Sequence, residues 1–369
     1  MYLKGNKQEW SKIYGFFRLM DQLGVSEGNR SLEAKNESFL TLRRLHRILP
    51  NGTLTLYPMQ SEWRIIREFT EEETETVVKQ EICLPAERFT SCADLIYQKI
   101  KGSEEVFECD EAETLLEEIG IYDFYTASEE GDDFQAVFYD ARNDYEVFHK
   151  IRVRSLMDPF YLVAANRASN FKYDITQVKF SNPETNKING IGDNETGSIY
   201  RLEEIFRLGG KLKYTSTEGK FFLNALQLID MQLPKLLSEM VRLFYTTDKL
   251  TIKELTAELN QINLFKVKEE VISKSRIYEY KIRQFLYAAA CGLKPTKTWR
   301  GNGNTHYQIF ITKKGELLGY NPVQKEEFEK VLFENTRLSL PNEDKNKFGT
   351  IEKENGQWLI KLNLEIRFK

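Results

Sequence analysis

Histidine and cysteine are scarce in this chain of 369 residues, and the few present are scattered. The four cysteines, Cys83, Cys92, Cys109 and Cys291, show no CxxC spacing. The three histidines, His46, His149 and His306, lie far apart, so neither a structural zinc site nor a disulfide framework is suggested. No run approaches the roughly 18 apolar residues that a membrane span needs. The opening MYLKGNKQEW has no apolar signal-peptide segment, which points to a cytoplasmic protein with no membrane partner. A phosphate-binding P-loop, a GxSxG elbow and an HExxH pair are all missing, which disfavours an NTPase, an α/β-hydrolase or a zincin. Internal repeats and low-complexity segments are missing too. What remains is 41% hydrophobic and 29% charged, enough for a full core and for two subdomains or one large α/β domain with an appendage.

A net charge of −4 argues weakly against a nucleic-acid partner, but the average hides an asymmetry. Residues 61–150 carry 25 acids against 8 bases, residues 1–60 carry 9 bases against 5 acids, and residues 151–369 carry a net +9. The basic parts would suit a phosphate-facing cleft, with the acidic part turned to solvent.

Along the chain, KGNKQEWSKIYGFFRLMDQLG reads as an amphipathic helix with Ile13, Phe16 and Met20 at helical spacing. Glu9 extends that stripe, and a carboxylate there needs a partner: a base, or a metal or active site. TLTLYP at 53–58 reads as a strand, followed by helical segments at Cys92–Lys101 and Asp110–Gly120. Asp133–Asp140 and Tyr145–Ser155 form a β-hairpin about a turn at Arg142 and Asn143. A polar stretch from Ser181 to Gly197 leads into helices at Phe221–Tyr245, Thr251–Leu259 and Val267–Cys291, with Gly292 as a stop. The chain closes with a strand HYQIFIT, a helix at Lys325–Asn335 and a final strand WLIKLNLEIRF.

The second hairpin strand carries most of the chemistry. Val147, His149, Ile151 and Val153 alternate onto one face, and Lys150, Arg152 and Arg154 onto the other. Three cations on one face must meet anions, either carboxylates of this protein or phosphates of a nucleic acid. A metal-dependent phosphodiesterase needs an acid at the start of one strand and a cation on its neighbour, and Asp133 and Arg154 stand in those places. The alternative is a plain ion pair of Asp133 with Arg152 or Arg154. The loop TKTWRGNGNTHY, Thr296–Tyr307, suits phosphate or base-edge contact, or is an ordinary surface loop. RLSLPNEDKNKFG, Arg337–Gly349, is a recognition loop or a solvated connection.

Together these segments resemble the HpaII-type restriction endonuclease family, in order, from Gly5 to the C-terminus. GNKQEWSK at Gly5–Lys12 is similar to the family's GNKGEWSE-like helix. IRVRS at Ile151–Ser155 is similar to FSIKS, and AANRASNF at Ala164–Phe171 to a TLLNAS and TNF block. NALQLIDMQLP, YEYKIRQFLYAAACGLKPTKTW, LFENTRL and the closing KLNLEIRFK also match family segments. The resemblance implies an α/β fold: a PD-(D/E)xK nuclease-like core with its N-terminal helix over 1–215, then a helical region and C-terminal mixed α/β part for DNA recognition over 216–369. It also implies Mg²⁺-dependent cutting of double-stranded DNA at a short palindrome, CCGG for the namesake, by a homodimer.

Carried over by residue, Asp133 and Glu9 become metal ligands and Ser155 follows the catalytic position. Arg154 stands at the catalytic lysine and Arg152 at a small hydroxyl residue, while Lys150 on the same face is the nearest source of an ammonium. DNA contacts fall to Asn166, Arg167 and Asn170, to Lys297, Trp299, Arg300, Asn302 and His306, and to Lys345 and Lys347. A guanidinium at 154 is bulkier than an ammonium and cannot deprotonate. The resemblance therefore leaves three expectations: a divergent endonuclease, a catalytically impaired DNA-binding or defence-associated protein of the same fold, or an interaction subunit that needs a partner for activity.

Overall fold

A computed structural model describes residues 3–71, 76–129, 131–301, 306–321 and 325–368. The first half of the chain runs α1 (Lys7–Gln22), β1 (Gly24–Gly28), β2 (Ala34–Leu49), β3 (Gly52–Pro58), β4 (Glu62–Thr70), β5 (Val77–Pro85), α2 (Ala86–Gly102), α3 (Asp110–Glu118), β6 (Phe134–Asp140) and β7 (Tyr145–Ser155). Then come β8 (Tyr161–Val163), β9 (Asn170–Thr176), α4 (Asn182–Asn189), α5 (Gly197–Arg207), β10 (Lys211–Thr217), α6 (Lys220–Ile229), α7 (Leu233–Thr246), α8 (Ile252–Ile262), α9 (Glu269–Ser273) and α10 (Ile277–Ala290). The chain ends with β11 (Tyr307–Ile311), β12 (Leu317–Tyr320), α11 (Lys325–Asn335), β13 (Thr336–Leu338), α12 (Glu343–Asn346), β14 (Ile351–Glu354), β15 (Gln357–Asn363) and β16 (Ile366–Phe368).

Two compact units result, one of residues 1–160 with 304–328, the other of 161–303 with 329–369. The division expected at 215/216 differs from this one because β9 pairs with both β10 and β15, which ties residues 161–215 to the C-terminal part. Among the described residues no helix is long and apolar enough to cross a membrane.

In the first unit a nine-stranded sheet has the order β1-β12-β11-β7-β6-β2-β3-β4-β5. Since β1 also pairs with β2, six of these strands close into a ring and β3, β4 and β5 extend from it. The hairpin occurs where the alternation places it, with Phe134 opposite Ile151 and Asp140 opposite Tyr145. Its apolar face, Phe134, Ala136, Phe138, Ile151 and Val153, joins Leu45, Leu54, Leu56, Trp63 and Ile65 in one core with α1 and α2. Trp10 is fully buried from α1, stacked on Phe107 at 5.7 Å and edge-on to Phe124 at 5.0 Å, and its indole N–H donates to the Phe107 carbonyl at 2.9 Å. α1 lies close against β7 because residue 15 is glycine: a methyl there would stand 3.0 Å from Val153. That approach fixes which helix residues reach the hairpin.

In the second unit β10-β9-β15-β14 form one sheet and β13-β16-β8 another. α7 supplies the buried Leu236, Leu237, Met240, Val241 and Phe244, and Tyr173 from β9 donates to the Ser238 carbonyl on that helix at 2.6 Å. Several expected elements divide. Phe221–Tyr245 breaks at Asp230, which is extended and precedes Pro234 in the first turn of α7. Val267–Cys291 breaks at Arg276, whose φ of +46 is left-handed. The final strand splits into β15 and β16, which belong to different sheets. The polar 181–197 stretch contains α4, begun by a Ser181 capping box with Glu184.

Candidate active site and nucleic-acid interface

Asp133 stands just before β6, buried, with its main-chain N–H on the Ile151 carbonyl at 2.8 Å. One carboxylate oxygen accepts the Val153 N–H at 2.8 Å. The other lies 3.1 Å from the Lys12 ammonium on α1. The ion pair of Asp133 is thus made with the helix and not with Arg152 or Arg154, which correct the alternative read from strand spacing. Arg152 instead donates to the Gly131 carbonyl at 2.8 Å. Arg154 donates to the Gln308 side-chain oxygen at 3.3 Å and lies over the Phe160 ring at 5.1 Å.

Lys12 is fixed from a second side. Its ammonium sits 4.1 Å from the centre of the Tyr125 ring. The Tyr125 hydroxyl donates to Glu9 at 2.8 Å, and that bond raises the tyrosine pKa. Glu9's other oxygen accepts the Asn6 N–H at 2.8 Å, closing the capping box of α1. Among the described residues Glu9 therefore meets neither a base nor another metal-ligating acid; it caps its own helix and accepts from Tyr125. One residue earlier, Gln8 donates to the Ser155 and Asp158 carbonyls at 3.1 and 3.0 Å. Ser155 is fully buried, and its hydroxyl accepts the Met157 N–H at 3.2 Å. Behind Asp133, the buried Arg47 donates to the carbonyls of Asp133 and Asp123 at 3.2 and 2.8 Å, and burial pulls its pKa down to about 10.

Mg²⁺ prefers about six oxygens at roughly 2.0–2.1 Å. Among the described residues, Asp133 already faces Lys12, and Glu9 is used by Asn6 and Tyr125. Among the described residues no three His, Cys, Asp or Glu side chains gather as ligands. A divalent ion about 4 Å from the Lys12 ammonium would meet a repulsion of roughly 8 kcal/mol at an effective dielectric near 20. The side chains as arranged do not fit the ion.

The face of the sheet turned away from the core carries the cations. Lys150 lies opposite Gln135 and Phe148 opposite Val137, while on β2 His46 lies opposite Gln135 and Arg44 opposite Val137. On β3, Thr55 and Tyr57 continue the row beside His46 and Leu45's neighbour Arg44, and a groove of about 310 Å³ runs between Arg44, His46, Tyr57, Gln135 and Phe148. Phe148 is 53% exposed. His46 contacts the Thr55 hydroxyl at 3.0 Å, and burial lowers its pKa, leaving it neutral at pH 7. At the far edge the charges cancel across strands, Arg64 with Glu81 at 2.7 Å and Lys79 with Glu68 at 3.1 Å. Cations beside exposed aromatic rings suit phosphates and bases together. Lys150, Arg152 and Arg154 are candidates from the sequence; Lys12, Arg44, Tyr57 and Tyr125, which the structure adds to the candidates, are not. The signal for Lys12 was its place one turn after Glu9 on the same helix.

His306 also lies in the first unit. It is buried just before β11, with its carbonyl accepting the Gln308 amide at 3.2 Å. In the second unit Asn166, Arg167 and Lys347 are joined to the buried Asn170 amide directly or through one shared partner. Asn170 donates to Glu218 and to the carbonyls of Asn346 and Lys347, and it accepts from Asn363 at 2.6 Å. Asn166 caps the turn at Arg167–Ser169, and Arg167, largely exposed, pairs with Glu218 at 2.6 Å. The exposed Lys345 and Lys347 sit on and after α12, which is anchored by a buried Arg201–Glu343 pair at 2.6 Å. Lys297 and Arg300 are exposed, and Trp299 is half-buried. Asn302 lies outside the described residues.

The HpaII restriction endonuclease family matches residues 6–368. Type II restriction enzyme HpaII of Haemophilus parainfluenzae is 27% identical over 375 residues, covering 100% of this chain and 99% of the relative. No solved structure matches.

Proposed function

The chain belongs to the HpaII restriction endonuclease family, and from that premise we propose that it is a deoxyribonuclease-like protein that binds double-stranded DNA at a short palindrome of the CCGG kind. In this reading the β6–β7 hairpin is the PD-(D/E)xK-like centre. Asp133 marks the reacting phosphodiester, Arg152 and Arg154 hold neighbouring phosphates, and Lys150 with Arg44 extends the track along the outward face. Water adds to phosphorus as a P–O bond of one strand breaks, the proton that the water loses is balanced by one gained by the leaving oxygen, and nearby cations stabilise the charge that develops on the phosphoryl oxygens. A palindrome has a two-fold axis, which a homodimer matches with one reaction centre per strand. The exposed Lys297, Arg300, Lys345 and Lys347 and the half-buried Trp299 of the second unit are the candidates for base and backbone contact.

One observation carries this reading: a full-length family match in which the hairpin sets a buried aspartate at the mouth of a cationic strand. A second reading is favoured by the Lys12 ammonium on Asp133 and by Arg154 at the expected lysine: a protein that binds DNA without cutting it. Purified protein is incubated with supercoiled plasmids with and without CCGG, in Mg²⁺, Mn²⁺ and chelator. Nicking or linearisation that disappears in Asp133→Ala supports the endonuclease. Salt-sensitive DNA binding that leaves the plasmid intact in every metal gives the second reading its place.

A further inference from the structure

We propose that the Lys12 ammonium is the resident cation of the Asp133 site, standing where a divalent ion would neutralise the carboxylate and keeping such ions out. Its functional consequence rests on Asp133 being the reaction centre; the occupancy itself does not.

Three observations carry the inference. The pair is largely withdrawn from water, with side-chain exposures of 19% for Lys12 and 9% for Asp133, so the ammonium is not readily exchanged for a hydrated ion. The ammonium is also held in place by relays. Asn6 holds Glu9, Glu9 holds the Tyr125 hydroxyl, and the Tyr125 ring lies against Lys12 at 4.1 Å. Finally, the helix that delivers Lys12 is pressed onto β7 at Gly15 and pinned to the strand end by Gln8, which fixes the Lys12 backbone beside Asp133. The cation on the expected strand position points elsewhere, since Arg154 is turned to Gln308 and Phe160.

The chemistry differs from that of a metal. An ammonium is one compact charge with three donors. Asp133 takes one and the Tyr125 face lies against another, which leaves a donor for a non-bridging phosphate oxygen. A site of this kind grips phosphate in the absence of divalent ions, with half the charge an ion would bring.

The test uses the full chain without DNA, so that it does not depend on whether the protein cuts. Saturable Mn²⁺ binding is measured by electron paramagnetic resonance and calorimetry for the wild type, Lys12→Met, Lys12→Arg, Asp133→Asn and the Lys12→Met/Asp133→Asn double variant. Circular dichroism confirms each fold, and Lys12→Gln replaces Lys12→Met if the latter does not fold. The expected result is no Asp133-dependent Mn²⁺ site in the wild type or Lys12→Arg. In Lys12→Met, Asp133-dependent Mn²⁺ binding should appear, about tenfold tighter or more than any wild-type binding, and vanish in the double variant. A wild-type Mn²⁺ site that Asp133→Asn abolishes overturns the proposal. So does a Lys12→Met protein that gains no site, or a Lys12→Arg protein that gains one.

Discussion

His149 sits on the core-facing side of the cationic strand, and its burial makes that strand sensitive to acid. The ring lies 4.8 Å from Tyr307 and 6.2 Å from Phe138, and desolvation pushes its pKa from 6.5 down to about 4. A histidine whose folded pKa is depressed stabilises the fold while it stays neutral. That contribution is present above the unfolded value near 6.5 and is lost as pH falls toward 4. Linkage with these two values gives a loss of about 2 kcal/mol between pH 7 and pH 5, and roughly half of that once the ring's partial exposure is allowed for. Replacing His149 with Leu removes the titration and keeps an apolar group against the two rings. Urea unfolding at pH 7, 6 and 5 is expected to show wild-type stability falling relative to the variant's by about 1–2 kcal/mol. His46, also lowered by burial, titrates in both proteins and cancels in the difference. Asp140, held at about 2 by the Arg142 guanidinium, responds only in a more acidic window. Parallel stability curves for the two proteins would refute the reasoning.

Two further outcomes test the surface and the second unit. Arg44→Gln removes an exposed cation from the outward face, so DNA binding weakens alike on all sequences and the slope of log K against log salt falls by about one; an unchanged slope in filter-binding titrations places phosphates elsewhere. Arg201→Met strands the buried Glu343 carboxylate, which keeps the Ser198 N–H, and is expected to destabilise by about 3–5 kcal/mol, with much of that recovered in Arg201→Met/Glu343→Met. Equal melting temperatures for the single and double variants would contradict a coupled pair.

Local rules made some of this fold legible. The hairpin Asp133–Asp140 and Tyr145–Ser155 and the helix Lys325–Asn335 occur where pattern puts them, since period-2 alternation, an Arg-Asn turn and an amphipathic run are all short-range signals. β2 was not legible, although it is the strand that joins the ring to the β3–β5 extension. Its residues alternate Leu42, Leu45 and Leu49 with Arg43, Arg44 and His46, but a bulge between Leu42 and Arg44 interrupts the period, and its partners are β1, β6 and β3 together. β9 and β10 lie in a stretch without a hairpin turn between them, with α4 and α5 intervening, so their pairing is a tertiary fact.

In the candidate site the strand cations were legible and the helix cation Lys12 was not, for the same reason. Alternation tells which face Lys150, Arg152 and Arg154 share, because a neighbour two residues away is a neighbour in space. It says nothing about what crosses to Asp133 from 121 positions earlier in the chain, and the pair that decides the local charge is Lys12 with Asp133. Helical periodicity placed Glu9 on a stripe with Ile13 and Phe16 and so asked for a buried partner. The helix starts too near Glu9 for that: at the third position of α1 its carboxylate turns back to the Asn6 N–H, and only the second oxygen is left for Tyr125. A capping box thus diverts the acid that the resemblance assigns to a metal, and one turn later the same helix brings an ammonium to the other acid. Both departures come from α1, so the charge at Asp133 is set by the first helix as much as by the strand that bears the three cations.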